Sequence, residues 1–197
     1  MHPIKGKIVV LSGPSGSGKT TLHKLLLSTK RFKNRLVRSV SITTRAKRKG
    51  EKGGRDYIFV SPKMFFYKRR FGHFLESEKV FDQYYGTPNK SVQDLLNSGK
   101  HVLLCIDVKG AIFVKKRYPD SVLIFIMPPS MDDLQRRLQS RGTEPQTDLQ
   151  HRLDIAQKEI MLARHYDHII INDDLQKAYR QLADLVWGVI GGDTLKE

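Results

Sequence analysis

The stretch Gly13-Pro14-Ser15-Gly16-Ser17-Gly18-Lys19-Thr20 constrains the fold of this chain more than any other. It spells G-x-x-x-x-G-K-[ST], a loop that works only between a strand and the start of a helix. Both neighbours are legible. Lys7–Ser12 (KIVVLS) is apolar and β-branched, and Lys19–Leu27 reads as a helix. In such a loop the glycines let backbone N–H groups turn inward around phosphate oxygens, where a Cβ would block the approach. The helix N-terminus adds partial positive charge. Lys19 can reach the β- and γ-phosphates, the Thr20 hydroxyl can ligate Mg²⁺, and Thr21 lies in the same turn. The implied ligand is a nucleoside triphosphate with its magnesium ion.

The rest of the chain repeats the strand–helix rhythm. His101–Ile106, Ser121–Met127 and His168–Asn172 are short, continuous apolar runs, as expected of parallel strands covered on both faces. Helical patterns fall at Ile112–Arg117, Met131–Ser140, Asp148–Ala163 and Leu175–Ile190. The expected class is α/β, a phosphate-loop NTPase type of fold with a doubly wound parallel sheet. Two stretches break the rhythm. Residues from about 36 to 87 hold short β-like pieces (Tyr57–Val60 and Gln83–Thr87) and a helix starting at Ser61-Pro62. Ser61 suits the N-cap and Pro62 the first helical position. Residues 141–150 are polar and broken by Gly142 and Pro145. We expect one domain over 1–197, with a core of about 5–35, 88–140 and 151–190, a substrate-binding insertion at 36–87, and a mobile lid at 141–150.

Composition narrows the function classes. A chain of 197 residues is long enough to bury a core without staples, and its one cysteine, Cys105, excludes an intrachain disulfide. No run approaches the ~20 apolar residues of a membrane span, and the N-terminal apolar run is too short for a signal peptide. A cytoplasmic protein is expected. The net charge of +15 points to an anionic partner. Because the basic residues are spread along the chain, a phosphorylated metabolite fits better than a nucleic acid.

The second substrate is written further along. Ser41-Ile-Thr-Thr-Arg45-Ala-Lys-Arg48 places two arginines beside hydroxyls, and guanidinium groups donate paired hydrogen bonds to phosphate. Gly50-Glu51, Gly54-Arg-Asp-Tyr57, Phe74-Leu-Glu76, Tyr84-Tyr85-Gly86-Thr87, Arg141-Gly-Thr-Glu144 and Ile171-Asn172-Asp173-Asp174 follow in order. With the phosphate loop, this ordered set resembles the guanylate kinase family over about residues 7–185. The resemblance implies ATP and GMP as substrates, leaves dGMP open as a further acceptor, and implies a core sheet, a GMP-binding insertion and an ATP lid. By position it implies that Arg45, Arg48, Tyr57 and Tyr85, with Glu51 beside them, hold the GMP phosphate. Ser41, Glu76, Gly86 and Thr87 would read guanine, with Asp107 near the same pocket. Guanine offers N1–H and the 2-amino group as adjacent donors, and a carboxylate such as Glu76 can accept both. Adenine offers no such pair, and sites built on a required hydrogen bond can discriminate by roughly 10⁴-fold.

On the triphosphate side the resemblance implies that Arg137, Arg141 and Arg152 act with Lys19 in catalysis, and that Asn172 belongs to the adenine-side loop. One position departs from the family pattern. Many members carry an acidic residue two before the position of Asp107, where this chain has Cys105. Asp107 is then left without its usual carboxylate neighbour, and Cys105 reads as a small buried hydrophobe. Two other readings compete: a guanylate-kinase-like interaction module without catalysis, and a basic nucleic-acid-binding protein. The intact Gly18-Lys19-Thr20 weighs against the first.

Overall fold

A computed structural model describes residues 6–140 and 146–191. In chain order its regular elements are β1 (Ile8–Ser12), α1 (Lys19–Ser28), β2 (Leu36–Arg38), β3 (Ile42–Thr43), β4 (Ile58–Phe59), α2 (Pro62–Arg70), β5 (Phe74–Val80) and β6 (Gln83–Pro88). They continue with α3 (Asn89–Asn97), β7 (His101–Cys105), α4 (Val108–Arg117), β8 (Val122–Met127), α5 (Met131–Gln139), α6 (Gln146–Met161), β9 (His168–Ile171) and α7 (Leu175–Val189).

Strands β2-β7-β1-β8-β9 form a parallel sheet in that order. Its strands read as unbroken apolar runs because both faces are covered. Val9, Leu11, Leu103, Ile124 and Ile126 point to one side, where Leu22 and Leu26 of α1 and Leu182 and Val186 of α7 pack on them. Ile8, Val10, Val102, Leu104, Leu123 and Phe125 point to the other, against Val92 and Leu96 of α3 and Val108, Ala111 and Val114 of α4. The P-loop NTPase type of core read from the sequence is the one observed.

Strands β4-β3-β6-β5 form a second, mixed sheet. Helix α2 covers it through Phe65, which stacks on Phe74 with ring centroids 4.7 Å apart. The Ser61 hydroxyl caps α2 by accepting from Met64 N at 3.3 Å, with Pro62 at the first helical position as expected.

Three boundaries differ from the sequence expectations. Leu36–Arg38, read as the start of the insertion, is the edge strand of the core sheet and pairs with His101–Leu103. The run is too short to carry a period. Helix α4 begins at Val108 rather than Ile112, because the Asp107 carboxylate caps it by accepting from Lys109 N and Gly110 N, whereas Gly110 reads as a breaker in sequence. Helix α6 begins at Gln146, so the second half of the stretch read as a lid is its first turn. Residues 141–145, with Arg141, lie outside the described residues.

Candidate active site

The phosphate loop joins β1 to α1 at the C-terminal edge of the core sheet. Gly13 has φ +135°, and a Cβ there would lie 2.3 Å from the Ile126 carbonyl oxygen. Gly18 has φ +97°, and its Cβ would lie 2.2 Å from Asn172 Nδ2. Both are positions only glycine can fill. Lys19 Nζ donates to the carbonyls of Gly13 (2.5 Å) and Pro14 (2.7 Å), so the ammonium folds over the loop. Ser15, Thr20 and Thr21 are exposed at its rim, while Pro14, Gly16 and Ser17 are buried in its wall. Asn172, just beyond β9, is buried and donates from Nδ2 to Ser17 O at 2.8 Å. Its own carbonyl accepts from Arg137 Nη2 at 2.8 Å. Asn172 thus braces the loop from behind.

Among the described residues no group of three or more His, Cys, Asp or Glu side chains is placed to hold a metal. The Thr20 hydroxyl, exposed at the rim of the loop, is an oxygen donor of the kind that suits magnesium.

The second cluster hangs on the mixed sheet. The antiparallel β5–β6 register sets Glu76 opposite Thr87, and Thr87 Oγ1 donates to Glu76 Oε1 at 2.5 Å. Glu76 is only 6 % exposed. Burial pushes its carboxyl up to about 8, against the pull of the Thr87 hydrogen bond. A Cβ at Gly110 would sit 2.8 Å from Glu76 Oε2, so the carboxylate lies on the first turn of α4, beside the cap Asp107. Burial raises Asp107 as well, with the Gly110 and Lys109 amides pulling it back. Ser41 is buried next to β3 and Gly86 lies against the Phe74 ring.

The basic end of this cluster is held by Glu51. Its Oε1 accepts from Arg45 Nη2 at 2.7 Å and its Oε2 from Arg48 N at 2.8 Å. Burial would raise Glu51, but the bonds from Arg45 and Arg48 outweigh it and hold the carboxyl below its usual value. The Arg45 guanidinium lies 5.4 Å from the Tyr57 ring centroid, and Tyr57 meets Tyr85 edge-on at 5.9 Å. The structure thus links Arg45 with Glu51 and Tyr57, Arg48 with Glu51, and Tyr57 with Tyr85, and separately links Glu76 with Thr87 and the first turn of α4. The first group is made of guanidinium groups and phenols, the second of buried carboxyls.

Comparison with known proteins gives the family. The family model described as guanylate kinase matches residues 5–189. A guanylate kinase of Thermotoga maritima is 42% identical over 183 residues, covering 93% of this chain and 87% of its own. One from Aster yellows witches'-broom phytoplasma is 42% identical over 193 residues, covering 98% and 89%. The crystal structure of guanylate kinase from Anaplasma phagocytophilum superposes with a TM-score of 0.79 at 35% identity, covering 98% of this chain and 90% of that one. The chain belongs to the guanylate kinase family. Its function is that of a guanylate kinase, a nucleoside monophosphate kinase.

Against that family identity, several side chains are placed in ways spacing did not disclose. Arg152, on α6, was expected over the triphosphate; here its guanidinium lies over the Phe81 ring, 5.2 Å from the centroid. Phe81 is the tip of the β5–β6 hairpin and has φ +54°. A cleft of about 380 Å³ opens there, with Arg45, Arg48, Tyr85, Phe81 and Arg152 among its walls.

Glu159, further along α6, is a carboxylate the sequence reading passed over. Burial holds it above the usual range, while Lys19 lowers it and Asp107 raises it. Its helical spacing alone gives no signal. Cys105, at the usual acidic position, is half-buried against the α1 side of the core. Burial pushes its thiol up to about 12, so it is uncharged at neutral pH.

Proposed function

We propose that the chain transfers the γ-phosphoryl group of ATP to GMP, giving ADP and GDP, in a Mg²⁺-dependent reaction. The observation that carries this reading is Glu76: a buried carboxyl, hydrogen-bonded to Thr87 and lying on the first turn of α4. Its remaining lone pairs suit the N1–H and 2-amino donors of guanine, with Asp107 beside it. AMP would leave that acceptor unpaired in a dry site, a loss that sites of this kind convert into strong discrimination.

In this reading Arg45, Arg48, Tyr57 and Tyr85 hold the GMP phosphate, with Glu51 keeping Arg45 in place. The loop Gly13–Thr20 cradles ATP, and Asn172 keeps that loop rigid by its bond to Ser17. A GMP phosphate oxygen attacks the γ-phosphorus; the new P–O bond forms as the bond to the ADP oxygen breaks. The attacking group is already an anion, so no general base is needed. The protein's share is alignment and charge neutralisation by Lys19 and the arginines Arg137, Arg141 and Arg152. The Thr20 hydroxyl would hold the magnesium ion, whose chemistry there would be further charge neutralisation. Among the described residues no helix is long and apolar enough to cross a membrane.

A coupled ADP-release assay with GMP, AMP, CMP and UMP tests the assignment. GMP should be preferred by orders of magnitude. Equal rates with AMP, or no GMP-dependent signal, would overturn it.

A further inference from the structure

Arg38 closes the core edge strand β2, next in sequence to the segment that leads into the mixed sheet. In the parallel β2–β7 register it pairs with Leu103, so its side chain starts on the sheet face that Leu103 and Cys105 share. That is the face of α1 and the phosphate loop. From there the guanidinium crosses to the mixed sheet. Its Nη2 donates to the carbonyls of Arg55 (2.5 Å) and Asp56 (2.8 Å), the two residues before Tyr57.

The turn it grips is already stiff. Gly54 N donates to Tyr57 O at 2.9 Å, and the Asp56 carboxylate accepts from Lys52 N and from Arg55. Moving the turn therefore moves Tyr57, and Tyr57 carries the contacts to Arg45 and Tyr85.

The carboxylate of Asp56, whose backbone carbonyl Arg38 holds, is committed elsewhere. The Asp56 carboxylate is engaged by Arg55. His23 of α1 is buried and lowered to about 4, first by burial and then by Arg38, so it is neutral. Cys105 feels both Arg38 and Lys19 and stays a thiol. The guanidinium makes its bonds to backbone carbonyls. A carboxylate at position 105 would compete for it, because a charge-assisted hydrogen bond is about twice as strong as one to a neutral acceptor.

We propose that Arg38 is a positioning residue for the acceptor nucleotide. It fastens the Arg55–Asp56 turn, and with it Tyr57, to the end of the core sheet, and the uncharged side chain at position 105 is the condition for that bond. The departure from the family's acidic pattern and the arginine on β2 are then one device. This inference rests on GMP being the acceptor.

The test is KM for GMP and for ATP, kcat, and direct GMP binding by calorimetry, on the full chain with Arg38→Met, Arg38→Lys, Cys105→Asp and the double variant Arg38→Met/Cys105→Asp. Arg38→Met should raise KM and Kd for GMP about tenfold while KM for ATP stays within about twofold, and Arg38→Lys should recover part of the loss. Cys105→Asp should weaken GMP binding in the presence of Arg38 and add little in the double variant. Unchanged GMP affinity in Arg38→Met, equal losses for both nucleotides, or additive effects in the double variant would overturn the proposal. If Arg38→Met does not fold, Cys105→Asp reads the same clamp with Arg38 intact; unchanged or improved GMP affinity there is then the overturning result. Failure of the unaltered protein to bind GMP would instead overturn the acceptor assignment.

Discussion

Because burial raises the Glu76 carboxyl to about 8, most of the free protein carries a proton there at neutral pH. Guanine presents two donors to that group, so a protonated oxygen would set donor against donor. GMP binding must therefore release the proton. Apparent affinity for GMP should rise with pH and level off above about 8, approaching a tenfold loss per pH unit well below that point. The folding linkage has the opposite sign. The folded state binds this proton more tightly than the unfolded chain, whose carboxyl titrates near 4.5, so the Glu76 contribution to stability is present below 4.5 and is lost as pH rises toward 8. Calorimetric GMP titrations from pH 6 to 9 check the binding side. A flat Kd would mean that Glu76 is already ionised or does not face the base. Glu76→Gln should bind GMP more weakly and lose most of this pH dependence. At this scale the sequence was only half legible: Glu76 by itself reads as a surface carboxylate, and only its place between Arg45 and Thr87 marked it. Its burial comes from a tertiary contact with α4, which no spacing encodes.

Among the secondary elements, legibility followed length and burial. Strands β1, β7, β8 and β9 stood out because two covered faces demand unbroken apolar runs. Helix α2 was marked by its Ser61-Pro62 start. Strands β3 and β4, two residues each, leave no period to read, and β5 (FLESEKV) looks polar because it turns Glu76 inward. Helix α3 follows β6 without a loop, and its polar NKSVQDLLN hides the two residues it buries, Val92 and Leu96. The mixed sheet also has its own small core: Ile42, Phe65 and Phe74, with Val60 and Tyr84 against them. Phe65 is the one buried side chain of α2. Phe65→Ala should cost about 3–5 kcal/mol of local stability, a large share of what a sheet this small can hold. GMP-dependent turnover should then be lost while ATP still stabilises the core in a thermal-shift assay. Loss of ATP binding in the same variant would show that the small cluster does not melt on its own.

In the proposed reading the molecule carries one nucleotide site on each of its two sheets, and the reaction requires the two to meet. Helix α6 reaches both sides. Glu159 feels the charges of Lys19 and Asp107, while Arg152 and His151 meet Phe81 at the tip of the hairpin, with ring centroids 6.1 Å apart for His151. If Arg152 serves the transferring phosphoryl group, it leaves the Phe81 ring when both nucleotides are bound, and the ring only holds it meanwhile. A cation–π contact at such a site is worth about 0.5–1 kcal/mol, so Phe81→Ala should alter kcat by no more than about fivefold. A guanidinium that stabilises charge in the transition state is worth far more, and Arg152→Ala should lower kcat by about 10²–10³. The contrast is what decides. Steady-state rates at saturating ATP and GMP that fall equally in the two variants would make Arg152 a docking residue. A large loss confined to Arg152→Ala would mean that the contact in this structure precedes closure, with α6 delivering its arginine from the hairpin tip to the phosphates.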